Sequence, residues 1–138
     1  MSRQPLLLDT NAAIFLAHGE TLTPGAEEIL IDAEDTGRPV LLSPITAWEL
    51  GLLVSRGRLA LAQPPLAWFQ GLLDRGIDLA PMPPEVLIAS SFLLNSPLRD
   101  PADRIIAATA RTFGYTVVTR DRLLLDYAAA GHLKALAC

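Results

Sequence analysis

Five acidic side chains in this sequence stand where chemistry could use them. Asp9 closes the apolar run of LLLDTN, Asp100 and Asp103 lie three apart in LRDPADRIIAATA, Asp121 follows VVTR, and Glu49 sits within SPITAWELGLLV. Each has an ordinary reading. Asp100 is a favoured N-cap residue, Pro101 suits the first helical position, and Asp103 falls at N3, where a carboxylate meets the positive end of the helix dipole. Asp9 and Asp121 could likewise cap helices, and Glu49 could be a solvated helix acid. Gathered in one place without partners, four or more such carboxylates would repel, raising their pKa values and destabilising the fold. A hard divalent cation removes the conflict. Mg²⁺ and Mn²⁺ prefer oxygen ligands, and Mg²⁺ keeps several waters while taking only one or two carboxylates directly. Such an ion can activate water and stabilise charge on a phosphate under in-line attack, so the chemistry suggested is phosphodiester hydrolysis.

Whether these acids meet depends on the elements that carry them. Leu6 to Leu8 reads as a short buried strand, and DTN leads into a helix over Ala12 to Ala17. Thr23 and Pro24 form a cap-and-N1 pair opening a helix to about Glu34, with Ile29, Leu30 and Ala33 on its inner face; Gly37 and Pro39 end it. Val40 to Leu42 is a second strand, and Ser43-Pro44 opens a helix through about Ser55, stopped by Gly57. Pro64-Pro65 starts a helix across Ala67 to Asp74, Gly76 closes it, and Ile77 to Leu79 makes a third strand. A second proline pair, Pro83-Pro84, begins a helix over Glu85 to Leu94. The loop NSPLRDP then leads into the DRIIAATA helix, which Gly114 terminates. Tyr115 to Thr119 reads as a strand, Asp121 to Ala130 as a helix ended by Gly131, and Leu133 to Ala137 as a last short strand. Strands alternate with helices throughout, which predicts an α/β three-layer sandwich with a central, mainly parallel sheet. With no linker, repeat or low-complexity tract, residues 1–138 read as one domain. Ligands of open parallel sheets bind at the carboxyl ends of the strands. Asp9 and Asp121 follow strand ends, Asp100 and Asp103 start a helix that leads into a strand, and Glu49 lies about one and a half turns into its helix.

Composition narrows the function classes. Of 138 residues, 51% are hydrophobic and 19% charged, which suits a globular chain with a real core. The apolar runs are too short to span a bilayer, and Asp9 interrupts the apolar stretch PLLL almost at once, so neither a membrane span nor a signal peptide is expected. The one cysteine, Cys138, supports no disulfide framework and no thiol metal site, and a cytoplasmic protein is expected. A net charge of -4 argues against nucleic-acid binding by simple phosphate attraction. It suits clustered acids neutralised by a metal, with arginines placed locally around them.

Taken in order, LLLDTN, SPITAWELGLLVSRGRL, RDPADRIIAATA and VVTRD resemble the PIN-domain ribonucleases, especially the VapC-like toxins of bacterial toxin–antitoxin pairs. The resemblance spans residues 6 to 126. It implies a Mg²⁺- or Mn²⁺-dependent endoribonuclease that leaves a 5′-phosphate and a 3′-hydroxyl. It further implies that Asp9, Glu49, Asp103 and Asp121 form the acidic metal site, supported by Thr119, Thr10 and Asn11. Asp100, typical of an RDPxD subgroup, is expected near the site but less essential. Where the family usually has a histidine ahead of RDP, this chain has Leu98. Implied partners are an RNA substrate, a cognate antitoxin that fills the groove by the active site, and a second copy of the chain. Apolar surface on the first helices and on AWELGLLV would suit the protein contacts.

Arg99, Arg104 and Arg120 could hold RNA phosphates, since guanidinium forks suit them, or could pair with the neighbouring aspartates. Arg122 also flanks the acids. Trp48, Trp68 and Phe69 could stack on bases, but on apolar helical stretches they read first as core or interface residues. His18 and His132 stand as lone surface residues beside glycines, and Asp126 reads as surface. No Ser or Cys nucleophile elbow and no phosphate loop is present. The rival readings are a catalytically silent PIN-like module that binds RNA or a partner, and a phosphatase of another α/β type. The DTN turn lacks the second aspartate that a DxD phosphatase needs.

Overall fold

The computed structural model describes residues 4–138. Strand β1 (Leu6–Leu8) runs into α1 (Thr10–Ala17), followed by α2 (Pro24–Thr36), β2 (Val40–Leu42), α3 (Pro44–Ser55), α4 (Pro65–Asp74) and β3 (Asp78–Leu79). Then come α5 (Pro84–Ala89), α6 (Pro101–Phe113), β4 (Thr116–Thr119), α7 (Arg122–Ala129) and β5 (Lys134–Ala137). Helix starts follow the capping chemistry of the sequence. Side-chain oxygens of Asp9, Thr23, Ser43, Asp100 and Asp121 accept from backbone amides of the first turns of α1, α2, α3, α6 and α7. Gly114 ends α6 in the left-handed region at φ 77°, where a side chain would be strained.

The five strands form one sheet in the order β3-β2-β1-β4-β5, and every pairing is parallel. The sheet is therefore wholly parallel among the described residues, where the sequence predicted it mainly so. Central β1 is buried on both faces, which explains its unbroken leucine run. Leu6 and Leu8 pack with Ala12, Ala13, Ala26, Leu50, Phe69 and Leu72 from α1 to α4. Leu7, pointing the other way, packs with Ile106, Ala107, Ala110, Leu124 and Tyr127 from α6 and α7. Helix, sheet and helix thus make three layers. No described helix is long and apolar enough to cross a membrane.

Five elements are shorter than the sequence predicts: β4, β5 and β3 each begin one residue late, α7 loses a residue at each end, and α5 stops early. The helix expected over Glu85 to Leu94 ends at Ala89, where the Ser91 and Phe92 amides bond carbonyls three residues back, those of Ile88 and Ala89, and the Leu87 carbonyl accepts from the Ser90 hydroxyl at 2.6 Å. The strand expected from Ile77 begins at Asp78. The Ile77 amide is taken by the Leu72 carbonyl at the end of α4, 3.3 Å away. Phe69 is core and Trp68 packs partly against it, but Trp48 is 51% exposed. The histidines are not lone: His18 meets Trp68 edge-on at 6.2 Å, and His132 stacks on Tyr127 at 5.0 Å.

Candidate active site

At the carboxyl edge of the sheet, Asp9, Thr10, Asn11, Glu49, Asp100, Asp103 and Asp121 line one cavity of about 200 Å³. Chain direction explains the convergence. Parallel β1 and β4 are neighbours, so the residues just past their ends, Asp9 and Asp121, are brought to the same edge. Helices α1, α6 and α7 begin there, and each turns its positive end toward the acids that cap it. Glu49 reaches the cavity from α3, which starts after the adjacent strand β2. The sequence-predicted acids and their supporting Thr10 and Asn11 therefore share one lining.

Hydroxyls set the orientation of two of these acids. Asp9 Oδ1 accepts from the Ala12 amide at 2.7 Å, and Asp9 Oδ2 accepts from the Thr119 hydroxyl. Thr119 in turn accepts from the Asp121 amide at 2.9 Å, so one fully buried hydroxyl couples both strand-end aspartates. Thr10 donates to Glu49 Oε1 and also bonds the hydroxyl of Thr46, which lies 2.9 Å away and is fully buried. Thr46 escaped the reading of the sequence. The signal available was its spacing of three residues before Glu49, which puts both on one side of α3.

The acids disturb one another as a crowded anionic cluster must. Burial, joined by the charge of Asp121, pushes the Asp9 carboxyl above its ordinary value against the hydrogen bonds from Thr119 and Ala12. Glu49 is also raised, first by burial and then by Asp100 and Asp9, with the Thr10 hydroxyl opposing. Asp103 is raised to about 7, by burial first and then by Asp100, Asp121, Glu49 and Asp9. Among the described residues no hydrogen bond to its carboxylate offsets this.

The arginines part company. Arg99 is exposed beside Asp100. Arg104 donates from Nε to the Ser90 carbonyl and from Nη1 to the Leu98 carbonyl, at 2.8 and 2.6 Å, so it braces the loop before α6 rather than facing the cavity. Arg120 lies over the Phe15 ring at 4.1 Å and donates to the Thr21 carbonyl, which holds it on the outer side of α1. Both thus bond the protein's own backbone rather than the neighbouring aspartates. Leu98, at the family's histidine position, is buried in the core under α6.

The donor set suits a hard cation: carboxylate, hydroxyl and amide oxygens, with neither thiol nor imidazole. No three acidic, histidine or cysteine side chains among the described residues stand close enough to hold an ion between themselves alone. An ion such as Mg²⁺, which fills most of its shell with water, needs only one or two direct carboxylates.

Comparison with known proteins gives likenesses of three kinds, to a family profile, to a curated protein and to solved structures. The PIN domain sequence profile matches residues 6–130. Ribonuclease VapC22 of Mycobacterium tuberculosis (strain ATCC 25618 / H37Rv) is 32% identical over 123 residues, covering 88% of this chain and 91% of that protein. Among solved structures, DNA-bound VapBC from Salmonella typhimurium aligns over 98% of both chains with a TM-score of 0.68 and 20% identity. VapBC2 from Rickettsia felis, bound to a DNA fragment from their promoter, aligns over 97% of this chain and 98% of that one, with a TM-score of 0.68 and 15% identity. These structural likenesses establish a shared fold.

Proposed function

This chain belongs to the PIN-domain family, and we propose that it is a metal-dependent endoribonuclease, hydrolysing RNA phosphodiester bonds as the toxin of a toxin–antitoxin pair. The observation that carries this reading is the cavity of about 200 Å³ into which five carboxylates converge at the carboxyl edge of the sheet. Asp9, Glu49, Asp103 and Asp121 would surround Mg²⁺ or Mn²⁺, one or two of them as direct ligands and the others through its waters, and Asp100 stands at the rim as cap and neighbour. When bound, the ion supplies a lowered pKa for the attacking water and a positive charge beside the phosphate. The chain's own part is orientation. Thr119 fixes Asp9 and ties it to Asp121, while Thr10 fixes Glu49. Arg99, the guanidinium left facing solvent next to Asp100, suits the RNA phosphates, and Asn11 at the cavity wall adds a neutral donor.

The antitoxin and a second copy of the chain are the protein partners of this reading. Ile31 on α2, Trp48 on α3 and Leu66 on α4 expose apolar surface on the first helices, and Ile88, Phe92 and Leu94 expose more around α5. The VapBC relatives of like fold are themselves complexes on DNA. The work of an RNA-cutting toxin with its antitoxin belongs in the cytoplasm.

Purified protein given structured RNA should cut it with Mg²⁺ or Mn²⁺, leaving 5′-phosphate and 3′-hydroxyl ends. Chelation should stop the reaction, and Asp9→Asn or Asp103→Asn should abolish it. Absence of metal-dependent cleavage, or cleavage that survives both substitutions, overturns the reading.

A further inference from the structure

We propose that Thr46 is a positioning residue for Glu49, acting through the hydroxyl of Thr10; the inference rests on the metal-dependent reading of the acidic cavity. Thr46 is 0% exposed and Thr10 4%. Their hydroxyl oxygens are 2.9 Å apart, and Thr10 donates to Glu49 Oε1. A hydroxyl owns one proton. With the Thr10 proton on Glu49, the proton between the two threonines has to come from Thr46. The chain of bonds therefore runs one way, from Thr46 to Thr10 to Glu49, and each polarised donor strengthens the next.

Helical hydroxyls ordinarily turn back on their own helix. Thr109 donates to the Ile105 carbonyl in α6 and Thr36 to the Asp32 carbonyl in α2. Thr46 instead reaches across to another element. Thr10 is the first residue of α1, directly after Asp9, and Thr46 lies three residues before Glu49 on α3. The bond between them thus joins the two helices whose acids face each other across the cavity. It sets the separation of Asp9 and Glu49 and limits the rotamers open to Glu49. Outer hydrogen-bond partners of this kind typically change metal affinity or activity by about 10–100-fold when removed.

The test compares Thr46→Val, Thr46→Ser, Thr10→Val and the Thr10→Val/Thr46→Val double variant. Mn²⁺ affinity is measured by calorimetry without RNA, and kcat and KM are measured for RNA cleavage at saturating metal. Thr46→Val should weaken Mn²⁺ binding and lower kcat by about tenfold or more, with KM for RNA unchanged. Thr46→Ser, which keeps the hydroxyl, should restore both, and Thr46→Val should add nothing once Thr10 is valine. Wild-type behaviour of Thr46→Val overturns the proposal. So does impairment of Thr46→Ser equal to that of Thr46→Val, since serine keeps the hydroxyl, and so do additive losses in the double variant. Should valine prevent folding, Thr46→Ser and Thr46→Ala differ in the hydroxyl alone and decide the same question. A wild-type chain that binds Mn²⁺ yet cuts no RNA would refute the ribonuclease reading while the Mn²⁺ titrations still judge Thr46. A wild-type chain that binds no Mn²⁺ overturns both.

Discussion

Asp103 is the acid with the least support. Its carboxyl is raised from 3.8 to about 7, and its neighbours add repulsion rather than hydrogen bonds. A carboxyl that holds its proton more tightly folded than unfolded stabilises the fold only while protonated. The metal-free protein should therefore lose stability as pH rises from about 4 to about 7, then level off. Melting curves in chelator across that window check this. In Asp103→Asn, which carries no charge, the slope should flatten, and a slope equal to wild type would refute the assignment. The same proton competes with a metal, so Mn²⁺ affinity should fall by roughly tenfold per pH unit below about 7. Asp103→Asn should stay folded, because Asp100 still caps α6, yet lose at least about a hundredfold of cleavage. At this scale the sequence was most legible where a residue acts alone. Asp9, Asp100 and Asp121 look like caps and are caps, and the family motifs marked two of them, Asp9 and Asp121, for metal as well. The threonine chain behind Glu49 was not legible, since nothing in ITAWE distinguishes a hydroxyl that turns back on its helix from one that crosses to another.

Elements show the same contrast between local and distant causes. Prolines and capping side chains announced most helix starts, and the observed α1, α2 and α3 begin within a turn of the expected places. The path of the loop after α5 could not be read, because the group that claims the Ser90 carbonyl belongs to Arg104, fourteen positions along the chain. Arg104 carries this loop on two charge-assisted bonds, and the Tyr127 hydroxyl adds a third hold through the Leu94 carbonyl at 2.8 Å. Arg104→Met should therefore destabilise the protein by about 2 kcal/mol in urea unfolding, and hasten proteolysis between residues 90 and 98. Asp100→Ala should cost about 1 kcal/mol by removing the α6 cap. A loss no larger for Arg104→Met than for Asp100→Ala would mean that the loop holds itself.

For the whole molecule, alternating strands and helices were enough to predict a layered, parallel-sheet sandwich, whereas the order β3-β2-β1-β4-β5 depends on pairings between distant segments. A ligand that binds only the folded state raises its stability by mass action, about 2.7 kcal/mol at a hundred times its dissociation constant. Mn²⁺ should accordingly raise the melting temperature of the wild type and leave that of Asp9→Asn nearly unchanged; equal shifts in both would place the ion elsewhere. The central position of β1 also has a meaning in time. Asp9 is made 110 positions before its partner Thr119, and β1 cannot pair with β4 before that segment exists. Such a long-range closure comes late and slowly in folding. The emerging chain therefore carries Asp9 through at least those 110 positions of synthesis without a site around it, and no acidic cavity exists to cut anything until β4 has been made.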